Sequence, residues 1–301
     1  MSLIAFTGAV ELGLIFALLA LSIYVAFRIL GIPDLTVEGS FTVGAAVSAV
    51  FIVNGQPMFG LPLAMVAGAG AGFITAMLQT KLKIQPILAG ILTMTAMHSI
   101  NLFVMNGSPN ISLFRTDTLF TMLAAATGFA RAWRILLPLA VLAAVGVSLG
   151  IFFHTRLGLS VRATGDNEEM VRASSINSTF TKTVGLCIAN AIAALSGALI
   201  AQYQGFADIN MGVGMVVVAL ASLIIGEAIF GRRTVIWNIC AVAAGAVIYR
   251  IMLAFALSLR VNPANLRAIS AVIVVAAISY PAIKAKWAIF MLKRRGRNAK
   301  V

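Results

Sequence analysis

Charged side chains are scarce in this chain: they make up 10% of its 301 residues, and only nine of them are acidic. With 61% hydrophobic residues and so little charge, it cannot clothe itself in polar surface. That excludes an ordinary water-soluble domain and places the chain in a bilayer. Cysteine is nearly absent too. Cys187 and Cys240 each stand alone in an apolar run, which excludes a disulfide framework or a thiolate metal site and leaves buried small side chains as the reading. Catalytic signatures are also missing. No GxxxxGK[ST] occurs, and the glycine-rich AGAGAGF at 67–73 lacks the lysine and hydroxyl that nucleotide phosphates require. Without HExxH, paired cysteines or GxSxG, hydrolysis within this chain has no support. An enzymatic role and a bound cofactor are therefore not expected.

What is present is a series of apolar runs. Roughly 20 apolar residues cross a bilayer as a helix, and runs of that kind lie at 3–27, 36–53, 58–80, 86–105, 134–153, 183–203, 212–230, 235–258 and 266–283. These predict an all-α, polytopic membrane protein of about eight or nine segments, forming one transmembrane domain over 1–301. The first run has no basic n-region and carries Glu11, so it reads as a retained helix and not a cleaved signal. Lysine and arginine are kept on the cytoplasmic side. If the 154–182 loop is inside, so are Arg28, Lys81, Lys83, Arg156, Arg162, Arg172, Lys182, Arg232, Arg233 and the seven basic residues of the tail, in all 16 of 22. The N-terminus is then outside and the basic tail 284–301 inside. On this reading the formal charge of +13 reports topology and weak attraction to anionic lipid, and nucleic acid is not an expected partner.

Two runs differ from the rest. PDLTVEGSFTVGAAVSAVFIV at 33–53 and GFADINMGVGMVVVALASLIIGEAIFG at 205–231 combine acids with glycines, the pattern of re-entrant or broken helices that line a path. Asp34 reads as a helix cap and Glu38 as a pathway residue. Gly68 with Gly72, and Ser196 with Gly197, read as close helix packing. Thr95, His98 and Asn101 form a polar stripe that either binds substrate or joins helices, with joining preferred for His98. Arg250 stands about 22 Å from the inner boundary at 1.5 Å per residue. Such an arginine either meets a substrate carboxylate or snorkels to the outer headgroups.

The one long polar stretch between membrane runs is HTRLGLSVRATGDNEEMVRASSINSTFTK, residues 154–182. Asp166 is placed as an N-cap with Glu169 closing a capping box, which predicts a short helix. Met170, Ala173 and Ile176 share one face, with Glu168, Arg172 and Ser175 toward the other. An element of about three turns cannot span a membrane, and its acidic start argues against anionic lipid. Docking against a partner protein is the preferred reading.

From TRLGLSVRATGDNEEMVRASS through ALSGALIAQYQG, and again in LGLIFALLALSIYVAFRILGIPDLTVEGSFTVGAAVSA, the chain resembles bacterial ABC importer permeases of the branched-chain amino acid and ribose type. Within that group LTVEGSFTVGAAV is most similar to the permeases for tryptophan or tyrosine uptake. The resemblance implies a bacterial inner-membrane importer driven by alternating access, with two permease copies, an ABC ATPase dimer that binds ATP and magnesium, and an extracytoplasmic substrate-binding protein. It makes Asp166–Ile176 the coupling helix, with Asp166, Asn167, Glu168, Met170, Arg172, Ala173 and Ile176 as ATPase contacts. One departure stands out: Gly226 is followed by Glu227 where such permeases carry a second glycine, and no role for that acid is inherited.

The loop 106–134 mixes phenylalanines with Arg115, Asp117 and Arg131. It suits either recognition of a binding protein or an interfacial belt around a short surface helix. An ion-gradient-driven secondary transporter would also explain broken helices and membrane acids, and a channel or scaffold comes third. A hydrophobic amino acid, aromatic or branched-chain, is the expected solute; sugars and nucleosides are the alternatives.

Overall fold

A computed structural model describes residues 3–258 together with Val272 and Val275. The run 266–283 and the basic tail therefore lie outside the described residues, apart from those two valines. The described chain is helical apart from one small ribbon. In order, α1 (Leu3–Ile23) continues as a π-helical turn (Tyr24–Ile29), followed by α2 (Thr36–Val53), α3 (Pro57–Thr80), α4 (Pro86–Val104), β1 (Asn110–Ser112), α5 (Leu119–Thr127) and α6 (Ala130–Phe152). Then come α7 (Arg156–Asp166), α8 (Glu168–Ala173), α9 (Ser178–Gln204), β2 (Phe206–Asp208), α10 (Met215–Phe230) and α11 (Val235–Ser258). Seven of these helices, the first counted with its π-helical extension, are long and apolar enough to cross a membrane, and α10 is a shorter apolar one. Proline opens α3 and α4 at the first turn, where its missing N–H is not needed.

At the centre α2 and α9 run side by side, flanked by α3 on one side and α1 on the other. Their approach depends on small residues. A Cβ on Gly44 would collide with the Ala194 carbonyl, and one on Gly197 with the Phe41 carbonyl. Gly68 and Gly72 of α3 lie equally tight against Asn190, Ala194 and Leu186 of α9, the close packing expected of a GxxxG pair. The glycines of 33–53 thus do not break a helix. Gly39 and Gly44 are packing sites in an uninterrupted α2, Gly39 lying against Met94 and Met97. The second glycine-rich segment is broken, as expected: β2 and turns over 206–214 precede α10, which starts behind Gly214 at φ 82°.

Several polar groups in this apolar interior are paired. Asn190, halfway along α9, donates to Asp34 Oδ2 at 2.7 Å and accepts from Ser40 at 2.6 Å. Asp34 Oδ1 accepts the Thr36 N–H at 2.9 Å, so Asp34 satisfies the first donor of α2 from one residue before the N-cap, Leu35, and is not itself the N-cap expected. Thr36, Thr75 and Thr93 form a hydroxyl chain joining α2, α3 and α4 at 2.7 and 2.9 Å. Glu11 is 4% exposed and accepts from Tyr203 at 2.7 Å, which explains an acid inside the first run. A buried polar group without a partner is expensive in hydrocarbon, so these bonds fix how the helices meet.

Short connections bring the ends of α1, α3, α6 and α10 and the starts of α4, α9 and α11 to one side, with α7 and α8. A Cβ on Gly165 of α7 would strike the Ile29 carbonyl, and Gly185 lies on Leu30. At the other side β1 pairs antiparallel with β2, Ile111 opposite Ala207. There α5 is capped by Thr118 and held by the Gln202 side chain, which accepts the Leu119 N–H at 3.1 Å. It is the short helix expected in the 106–134 loop. Cys187 is partly buried, whereas Cys240 is exposed on α11, a correction to the expectation that both are buried.

Candidate functional site

The polar stretch 154–182 folds as two helices, not one. Asp166 is the last residue of α7, and Asn167 is the N-cap of α8, its side chain accepting the Met170 N–H at 3.0 Å. The expected Asp166 cap is therefore displaced by one residue: α7 stays helical through Asp166, and Asn167 is the first with extended backbone, φ −157°. Within α8 only Val171 points inward. Met170 is 55% exposed and Ala173 is also uncovered, but Ile176 is half-buried beyond the end of α8, after Ser175 at φ 59°, so only two of the three residues expected on one apolar face lie on the helix. Glu168 and Arg172 bond within the chain. Glu168 pairs with Arg172 at 2.7 Å and with Lys182 of α9 at 2.5 Å, and Arg172 donates to Ser178 at 3.0 Å. Partial burial opposes ionisation of Glu168, but the bond and charge of Lys182 and the charge of Arg172 prevail and hold its carboxyl below the usual range. Thr164 and Thr181 share a hydroxyl contact at 2.7 Å that ties α7 to α9 as well. α7 and α8 are thus both bonded to the first turns of α9.

Three of the four expected pathway residues converge. Glu38, His98 and Asn101 line one cavity of about 310 Å³ bounded by α2, α4 and the 209–213 segment, with Thr42 and Gly212. Glu38 reaches across to accept the Gly214 and Val216 N–H groups at 3.0 and 3.4 Å, so its carboxylate sits at the amino end of α10. His98 is exposed and forms no hydrogen bond among the described residues. The helix-joining role preferred for it is carried by Asn101, whose Nδ2 donates to the Gly39 carbonyl at 3.5 Å, and by the threonine chain. A second cavity of about 670 Å³ lies across the 210–214 segment, between α1, α9 and α10.

Arg250 stands apart from the Glu38 cavity. Its guanidinium lies 3.6 Å above the Phe16 ring, and Phe16 stacks on Phe41 at 6.1 Å. The side chain lines a separate cavity with Gly8 and Leu12 and reaches one turn further inward, onto Phe16, so it does not snorkel to the outer surface. Glu227, left without a role by the sequence, joins α10 to the π-helical end of α1. Its side chain is 9% exposed, with Arg28 Nε 2.8 Å from Oε1 and Arg232 Nη2 2.6 Å from Oε2. The Oε1 contact lacks hydrogen-bond alignment and acts through charge, while Arg28 Nη2 donates to Oε2 at 3.4 Å. Asn190 and Gln202 were missed by pattern reading, although a polar amide inside an apolar run is itself a signal.

An all-α membrane bundle with a short capped helix outside the spanning segments, and a polar cavity beside a broken helix, defines a transport subunit. Residues 5–278 match the family described as the permease component of branched-chain amino acid transport systems, and the chain belongs to that family. It is 38% identical to a tyrosine transport system permease protein of Clostridioides difficile over 264 residues, 87% of this chain and 86% of the relative. It is also 27% identical to a ribose import permease of Escherichia coli K12 over 202 residues, 64% of this chain and 60% of that one. Among solved structures, an ABC transporter described as of the metal-chelate type, in an inward-facing conformation, shares the fold at TM-score 0.51 and 16% identity, covering 93% of this chain and 85% of that one. The chain is thus a multi-pass ABC permease subunit, and ATP hydrolysis belongs to separate partner subunits.

Proposed function

We propose that this chain is the permease of a bacterial inner-membrane importer for an amino acid, aromatic or branched-chain, delivered by an extracytoplasmic binding protein. The supporting observation is α8, a capped helix with exposed Met170 and Ala173, braced onto α9 through Glu168 and Lys182. Asp166, Asn167, Met170, Ala173 and Ile176 form the surface that the ATPase grips, and Glu168 and Arg172 hold that surface to the bundle. The basic side of the bundle, with α7 and α8, is cytoplasmic, and the N-terminus is outside.

Two copies act together. Thr95, His98 and Ser99 are uncovered on α4, and polar groups facing acyl chains are unfavourable, so this side of α4 meets a second permease across a hydrated path. ATPase closure drives the docked α8 helices toward each other, and α9 passes the movement to α2 through Asn190, switching access to the Glu38 cavity. Tyrosine is the first substrate to test, since a tyrosine permease shares 38% of the sequence.

The test is uptake of labelled tyrosine by proteoliposomes holding the permease, its ATPase and its binding protein. Met170→Asp should abolish ATP-dependent uptake and weaken ATPase copurification while leaving the melting temperature of the permease in place. Undiminished uptake by Met170→Asp would overturn the coupling assignment.

A further inference from the structure

We propose that the cavity between α2 and α4 is a subsite for the protonated amine of the transported solute, with Glu38 as its counter-charge and Asn101 as its second acceptor. The inference rests on the amino-acid importer reading above and names which end of the solute this site holds.

Both acceptors are left incomplete by the protein. Glu38 spends Oε1 on the Gly214 and Val216 N–H groups, at 3.0 and 3.4 Å. No hydrogen bond among the described residues reaches Oε2. Asn101 is 1% exposed, and its Nδ2 is used on the Gly39 carbonyl at 3.5 Å, which fixes the amide orientation. Its Oδ1 is buried and has no hydrogen-bond partner, in a residue that lines the same cavity. A buried acceptor left empty carries a desolvation penalty that an incoming donor removes.

The chemistry of the lining selects the donor. No lysine or arginine lines the cavity, so a lone carboxylate or phosphate has nothing to meet there. The Gly214 and Val216 N–H groups hold one carboxyl oxygen of Glu38 at the amino end of α10 and leave Oε2 for an incoming cation, whose own charge favours the carboxylate. A bare metal ion is a poor fit, since two acceptors fall short of the six or so oxygens that calcium or magnesium collects, and the described residues hold no cluster of three metal-ligating side chains. An ammonium group offers three N–H donors on one nitrogen. Glu38 Oε2 and Asn101 Oδ1 take two, and water or His98 takes the third. At about 310 Å³ the cavity suits one small solute.

The experiment measures occupancy directly, without the binding protein's own selectivity. Thr95→Cys, which bonds only to its own helix and is exposed in the cavity wall, is labelled by a hydrophilic methanethiosulfonate in nanodiscs, with Cys187 and Cys240 replaced. Tyramine, which keeps the amine and lacks the carboxylate, should slow labelling at least about fivefold at saturation. 3-(4-Hydroxyphenyl)propionate, which lacks the amine, should not. A charge-assisted hydrogen bond supports a difference of about tenfold or more in affinity. Glu38→Gln and Asn101→Leu should each abolish tyramine protection, and Asn101→Leu leaves the Glu38 bonds to α10 intact should Glu38→Gln fail to assemble. Equal protection by the two compounds, no protection by either, or protection surviving both substitutions would overturn the subsite. Tyrosine uptake by the full transporter is scored separately: if it proceeds while protection fails, the subsite alone is wrong, and if no amino acid is carried, the importer reading is wrong.

Discussion

Replacing Glu227 with glutamine removes one negative charge and little volume from the junction between α10 and the end of α1. Its side chain is 9% exposed and faces Arg28, 30% exposed, and Arg232, 61% exposed. Arg28 is covered enough to suffer from loss of its counter-ion, whereas Arg232 is solvated and screened. A fully buried pair that loses one member is destabilised by about 3–5 kcal/mol. Partial exposure of Arg28 reduces this to about 1–3 kcal/mol, and the Arg232 contact adds at most about 0.5–1 kcal/mol. Thermal unfolding of the detergent-solubilised permease should therefore give a lower midpoint for Glu227→Gln. In a double-mutant cycle with Arg28→Met the coupling should be at least about 1 kcal/mol. High salt should weaken the Arg232→Ala effect and spare most of the Arg28 effect. If Arg28→Met and Glu227→Gln prove additive within about 0.5 kcal/mol, the clamp is two unrelated side chains near each other.

Gly197→Val should prevent accumulation of folded permease, because its Cβ would strike the Phe41 carbonyl, while Gly70→Ala, with open space around it, should be neutral or stabilising by up to about 1 kcal/mol; expression and gel-filtration profiles separate the two. The Glu168 carboxyl is held below its ordinary range, so its stabilisation is complete above the unfolded value and disappears as pH falls through the lowered folded one. Hydrogen-exchange protection of α8, taken relative to the intrinsic rate at each pH, should therefore fall on acidification below about pH 4, and Lys182→Met should move that onset upward; an unchanged onset would disprove the linkage. Phe16→Leu removes the ring beneath Arg250 and should lower stability by about 2 kcal/mol, read as a drop in melting temperature, with no drop meaning that the guanidinium finds another partner.

Much of the architecture was legible from composition alone. Apolar runs predict helices because a backbone in hydrocarbon must satisfy itself, and the first eight runs coincide with α1, α2, α3, α4, α6, α9, α10 and α11. The short polar helix was legible in outline, since polar residues between membrane runs have nowhere else to go, but its start was misplaced by one residue and the expected three turns shrink to the six residues of α8. Local capping rules see Asp and Asn as equivalent, and only the packing of Gly165 against Ile29 and of Thr164 against Thr181 keeps α7 helical through Asp166. Glycine in 33–53 was ambiguous for the same reason: a break and a close contact use the same residue, and the nearness of Ala194 decides between them.

By itself the sequence determined that the chain lives in a bilayer, where its apolar helices lie and that a short polar helix stands between membrane runs, because hydropathy, charge and motif spacing are local properties. Only the tertiary structure decided that Glu38, His98 and Asn101 share a cavity while Arg250 rests on Phe16, and that Glu227 clamps Arg28. Residues 199 positions apart meet through the crossing of α1 and α10, and helix crossings are set by side-chain shape on several elements at once, which no single stretch of sequence carries.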